Sequence, residues 1–162
     1  MKRQDVKLSI RISHPRRDLS SVCTTLGLRP TNIWKKGDER RSPKGNEIGG
    51  LREDSRCSIE LKSTPGASLS RQIEAGLDLL KPHRTTLLRL SAGGGTISFY
   101  VGWFCDENIG ETLNAQILEG MARLRISLEL NIYLPDPPAS ETIKRKTPSV
   151  GSNRDRRRRP MA

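Results

Sequence analysis

Trp34 stands next to Lys35 and Lys36, with Arg40 and Arg41 a few residues on. A ring among clustered cations suits an anionic partner, the ring stacking while the cations neutralise charge. The Gly37-Asp38 pair that follows reads as turn chemistry, which favours Trp34 as the anchor of its loop with the charges left in solvent. A second aromatic group lies at Phe99, Tyr100, Trp103 and Phe104. Side chains alternate across a strand, so Phe99 and Trp103 go inward while Tyr100 and Phe104 take the other face. Tyr133 of a later strand is expected beside them, near Lys7 and Arg11. RNA recognition motifs stack bases on aromatics of an open sheet face, but their glycine–aromatic signature is absent here and the first strand offers no aromatic. A face closed by the long loop or by a second subunit is the preferred reading, because exposed apolar patches usually mark interfaces.

Residues for covalent or metal chemistry do not assemble in the same way. Gly93-Gly94-Gly95 precedes a strand, whereas a phosphate cradle needs a strand before it and a helix N-terminus after it, so it reads as a turn. Asp106, Glu107 and Glu111 have no histidine or nucleophile to work with and read as a polar loop. His14 and His83 lie far apart and read as surface residues. Cys23, Cys57 and Cys105 fit no zinc spacing; Cys23 and Cys57 fall at core positions and read as free, buried thiols. No catalytic residue, metal ligand or cofactor is assigned, and the reading is against an enzyme.

These residues must be positioned by strands and helices. Four segments alternate as half-buried strands do: Val6 to Ser13, Cys57 to Lys62, Ile97 to Phe104 and Ile126 to Tyr133. Between them, Asp18 heads a helix with the stripe Leu19, Val22, Cys23 and Leu26, stopped at Gly27. Ser68 caps a second helix with Leu69, Ile73, Leu77 and Leu80, and Pro82 turns it into a short continuation through Leu87, Leu88 and Leu90. A third runs from about Thr112 to Leu124. If the first and third helices each cross between parallel strands, the result is an α+β fold: a ferredoxin-like split βαβ sheet of four strands with an extra helix between the two units. Its helix-facing side would bury Val6, Leu8, Ile10, Ile59, Leu61, Phe99, Val101, Leu128, Leu130 and Ile132.

Leu28 to Arg56 fits neither pattern and reads as a long basic loop with an edge strand around Thr31 to Lys35. Residues 5–134 are expected to be a single α+β domain. Residues 135–162 are expected to be a disordered basic tail, with eight basic residues against three acidic ones and no apolar periodicity. The net charge of +11 divides between that tail and the part before Cys57, since Cys57 to Leu134 is close to neutral. The basic excess suits anionic partners without naming one. No apolar stretch follows the charged start and no run approaches a membrane span, so a cytoplasmic protein without a membrane partner is expected.

The opening strand, Leu26-Gly27-Leu28-Arg29-Pro30-Thr31, then Trp34-Lys35-Lys36-Gly37-Asp38, and the closing Leu130-Asn131-Ile132-Tyr133 together resemble the bacterial family known as domain of unknown function 4279. The likeness runs from Asp5 to Tyr133. The tryptophan usual at the start of the family's second strand is replaced here by Arg56-Cys57-Ser58. The resemblance implies a small bacterial α+β domain and carries no activity. The functional expectation is a small non-catalytic binding or interaction module of the bacterial cytosol. Its partner surface would draw on Trp34, Lys35, Lys36, Arg40, Arg41, Tyr100, Phe104 and Tyr133. A protein partner or self-association ranks ahead of the alternative, a nucleic-acid-associated protein using the basic loop, the sheet-face aromatics and the arginine-rich tail.

Overall fold

The computed structural model describes residues 4–62, 66–105 and 110–134. The expected tail, residues 135–162, lies outside the described residues, as do Asp106 and Glu107. The chain runs β1 (Gln4–His14), α1 (Ser20–Leu26), β2 (Asn32–Trp34), β3 (Glu39–Arg41), β4 (Glu47–Leu51), β5 (Ser55–Glu60), α2 (Leu69–Leu80), α3 (Arg84–Ala92), β6 (Thr96–Cys105), α4 (Ala115–Arg123) and β7 (Ile126–Tyr133). A 3₁₀ turn, Lys81–His83, carries Pro82 between α2 and α3. Pro82 is tolerated there because its missing N–H falls in the first turn of a new helical segment.

Local chemistry sets the helix ends. Gly27, at φ 66°, ends α1 in the left-handed conformation that glycine adopts without a Cβ penalty. Ser68 Oγ accepts from the Arg71 N–H at 3.3 Å, and Asn114 Oδ1 accepts from the Ile117 N–H at 2.9 Å, so both longer amphipathic helices carry side-chain N-caps. Asp18 Oδ1 takes the Ser20 N–H at 2.8 Å at the entry to α1.

The alternating strands form one five-stranded sheet in the order β2-β5-β1-β6-β7. One parity of each strand meets the helices. Val6, Leu8, Ile10, Ile12, Cys57, Ile59, Ile97, Phe99, Val101 and Trp103 are all buried. They join Leu19, Leu26, Ile73, Leu80, Leu87, Leu90 and Ile117 in a single apolar core. Gly76 brings α2 close to that layer: a Cβ there would stand 2.9 Å from the Phe99 ring.

Three expectations need correcting. First, Cys57 to Lys62 does not lie parallel to the first strand. β1 and β5 are antiparallel neighbours, with Ile10 opposite Ile59 and Ile12 opposite Cys57. After α1 the chain enters β2, an edge strand antiparallel to β5 and so running the same way as β1. A split unit built from β1, α1 and β5 therefore does not form; the parallel partner reached through α1 is the three-residue β2. The last helix does cross between parallel strands, β6 and β7, as expected, but these are direct neighbours with no strand between them, so this unit is not split.

Second, Leu130 and Ile132 are 47% and 61% exposed, and Leu61 and Leu128 are only half-buried. β7 is the sheet's outer strand and lacks a neighbour on one side. Third, the long loop is not a cover. Gly37 and Arg52 pin the base of a hairpin, Gly37 N–H donating to Arg52 O at 2.9 Å and Arg52 N–H to Asp38 O at 2.8 Å. From that base β3 and β4 pair with each other alone, and all their residues are exposed.

Candidate functional site

The face of the sheet turned away from the helices carries the second parity of each strand. At one corner it gathers Tyr100, Phe104 and Tyr133, as expected. Phe104 and Tyr133 stack with centroids 4.6 Å apart and planes 10° from parallel. They lie opposite one another in the parallel ladder, so register alone brings the rings together. Gly102 lets them lean across the strand: a Cβ there would already touch Phe104 at 3.4 Å and Tyr133 at 3.7 Å. The two tyrosine hydroxyls are 2.9 Å apart. That hydrogen bond holds the Tyr100 phenol below the usual range and pushes Tyr133 above it.

Arg11, from the central strand, lies over this corner. Its guanidinium carbon is 3.3 Å from the Tyr100 ring centroid, and its Nη1 meets Glu129 Oε1 at 3.0 Å. Lys7 Nζ stands 5.8 Å from the Phe104 centroid. Phe104 and Tyr133 keep 39% and 44% of their surface exposed, so nothing among the described residues closes the face.

Trp34 occupies the opposite corner. It pairs with Arg56 across β2 and β5, and Arg56 stands opposite Ser13 on β1, whereas Phe104 stands opposite Asp5. Eight residues of β1 separate the two rows, roughly 26 Å at strand rise. The expected site residues thus form two clusters rather than one. Trp34 is half-buried, with the Arg52 guanidinium carbon 4.1 Å and that of Arg56 5.7 Å from its ring. Arg52 is also the residue that closes the hairpin base, so the ring stands against the base of the loop, on the uncovered face and outside the core. Trp34 Nε1 and Arg52 Nε are both buried and have no acceptor among the described residues.

Lys35 and Lys36 follow in an exposed turn. The Lys35 N–H donates to Asp38 Oδ2 at 2.8 Å and the Lys36 N–H to Ser55 Oγ at 3.0 Å, and both residues are exposed. Arg40 is exposed on β3. Arg41 is committed within the hairpin, 3.0 Å from Glu39 and 3.6 Å from Glu47.

Arg11, Glu129, Arg52 and Arg56 were not among the expected site residues. Strand parity places Arg11 and Glu129 on this face, but the Arg52 contact depends on a hairpin closure that no periodicity announces. His14 is buried rather than on the surface: its Nδ1 accepts the N–H groups of Arg16 and Arg17 at 3.1 and 2.8 Å, holding the turn after β1. Cys23 and Cys57 are buried with their sulfurs 2.7 Å apart, and burial, with the neighbouring Cys23 thiol, pushes the Cys57 thiol up. Among the described residues no group of three or more His, Cys, Asp or Glu is placed to hold a metal, and no helix is long and apolar enough to cross a membrane.

The fold and this face define a class: a small α+β protein with a helix-covered core on one side of its sheet and an open, aromatic and basic face on the other. The chain belongs to the family described as Domain of unknown function (DUF4279), whose model matches residues 4–135. Searches of the curated proteins and of the solved structures found no match.

Proposed function

We propose that the protein is a non-catalytic interaction module that recognises a protein partner, including a second copy of itself, through the uncovered sheet face. One observation carries this reading: Trp34, Tyr100, Phe104 and Tyr133, four of the six aromatic residues, stand on a face that no helix covers. Aromatic residues and arginine are the anchors of protein interfaces.

The charge on the face favours protein over nucleic acid. Arg11 is already engaged by Glu129, Phe104 and Tyr133 already stack on each other, and Glu60 adds negative charge to the same side. A base would have to displace those contacts before stacking. The donors of Trp34 and Arg52 suit a carbonyl or carboxylate acceptor on the partner. Nucleic acid remains the second reading, supported by the exposed Lys35, Lys36 and Arg40 beside Trp34. The buried thiols Cys23 and Cys57 support a cytoplasmic location.

We further infer a ferredoxin-like sheet drawn from a different set of strands than expected. The order β2-β5-β1-β6, antiparallel at every step, supports it, with α4 and β7 added at the β6 edge.

Sedimentation equilibrium of the full chain, beside the Phe104→Glu and Trp34→Ala variants, tests the functional reading, together with titration of single-stranded RNA at low and high salt. Self-association, or capture of a partner protein, that Phe104→Glu abolishes while its thermal midpoint holds is the expected result. A monomer that binds RNA with steep salt dependence, unaffected by Phe104→Glu, overturns it in favour of the second reading.

A further inference from the structure

On the other side of the sheet, where α1 ends and α2 begins, the helices part and leave a cleft of about 550 Å³. Its floor is the sheet itself, at Leu8 and Ile59, and its walls include Leu28, Leu61 and Leu79. A small residue on α2 helps keep it open: Ala75 lines it and is exposed, where a longer side chain would fill it. A volume of this size with apolar walls and a few polar groups is what small-molecule sites have.

Three polar features give the cleft a direction. Arg29 and Arg71 line it and are exposed. Gln72 also lines the cleft and is only 8% exposed. Its amide nitrogen donates to Ala67 O at 3.1 Å, which fixes which end is the oxygen, and that Oε1 is buried with no donor among the described residues. A buried acceptor left without a donor is costly, and a cleft-bound N–H or O–H would satisfy it.

We propose that this cleft binds a small anionic amphiphile carrying a hydrogen-bond donor. Its apolar body lies over Leu8 and Ile59, its hydroxyl or amide N–H donates to Gln72 Oε1, and its carboxylate-like head faces Arg29 and Arg71. The site lies on the opposite side of the sheet from the interaction face and stands or falls independently of it.

N-decanoylglycine supplies all three features, decanoate lacks the N–H, and decyltrimethylammonium reverses the charge. Isothermal titration of each into the full chain, below micelle-forming concentrations, tests the site. Saturable binding of N-decanoylglycine at one site is expected, with decanoate weaker by about 3–10-fold for the lost hydrogen bond, and no binding of the cation. Ala75→Trp, which fills the cleft, abolishes binding, and Arg71→Glu weakens it by at least about tenfold. Gln72→Met removes the preference for N-decanoylglycine over decanoate. Ala75 and Arg71 have exposed side chains, so thermal unfolding separates lost binding from lost fold, and Arg71→Glu carries the test if Ala75→Trp misfolds. The proposal is overturned by the absence of saturable heat up to about 1 mM, by equal binding of the cationic amphiphile, or by binding that survives both Ala75→Trp and Arg71→Glu.

Discussion

β6 and β7 are parallel neighbours with the same alternating pattern, and they end in different environments. Phe99, Val101 and Trp103 stand directly opposite Leu128, Leu130 and Ile132. The first three are buried; of the second three, one is half-buried and two are exposed. The cause is position. β6 has a strand on each side, while β7 is the edge. The nine residues of α4 extend about 14 Å, and the eight of β7 about 26 Å, so the helix that brings β7 into place is too short to cover it. Only the first half of β7 meets the core, Ile126 buried in it and Leu128 packed half-buried against it. Alternation announces which side of a strand is apolar, and the lid decides whether that side is buried.

Paired truncations can break this comparison. Phe99→Ala is expected to cost about 3–5 kcal/mol in denaturant unfolding, since the ring is fully enclosed and touches α2 at Gly76. A loss below about 1 kcal/mol would mean that the β6 side is not the core. Glu111→Gln sharpens the comparison by testing what ties the α4–β7 extension down. Its carboxylate accepts the N–H groups of Leu69 and Ser70 at 2.8 Å each, together with the Ser70 hydroxyl, at the N-terminus of α2. We expect a loss of about 1–2 kcal/mol, the range of a helix N-cap.

Partial burial raises the Glu111 carboxyl, but the bonds from Ser70 and Leu69 outweigh it and hold the group below the usual glutamate range. Its folded value is depressed, so its contribution is complete above the unfolded value and fades as pH falls through the folded one. Thermal midpoints of wild type and Glu111→Gln should therefore converge in acid and diverge towards neutrality; a constant gap would remove the carboxylate from the account. Leu130→Ala should cost about 0.5 kcal/mol or less, against the several expected of a core leucine. A cost of 2 kcal/mol or more, on the order of a buried truncation, would show that β7 is covered. Smallest of all is Tyr133→Phe, with little effect on unfolding. Its readout is the ultraviolet titration of Tyr100, which should move upward once the Tyr133 hydroxyl is gone. An unmoved titration would disconnect the two phenols.

The sequence shows more of the strands than of their arrangement. All four long strands, the capped start at Ser68 and the Pro82 break follow from local pattern, because alternation and capping act over a few residues. The pairing of β1 with β5 does not, because it depends on where α1 delivers the chain, and three-residue β2 is too short to alternate visibly. The β3–β4 hairpin is missed because its residues are exposed on both faces and so carry no period. Tyr100, Phe104 and Tyr133 meet as parity requires. Trp34 lies apart from them because distance across a sheet depends on strand order, which parity leaves open.

The central place of β1 has a consequence for how the protein is made. Ile12 pairs with Ile97 and Val6 with Trp103, so β1 leaves the ribosome some ninety residues ahead of its long partner. At roughly 5–20 residues per second that is a wait of about 5–20 s. For about the first half of it Leu8, Ile10 and Ile12 have neither neighbour, and for the rest they have β5 on one flank and an open edge on the other. A strand in that state is a template for neighbouring nascent chains. Translation speed between His14 and Thr96, or a chaperone occupying β1 in the interval, should therefore govern yield in the cell more strongly than the stability of the finished sheet.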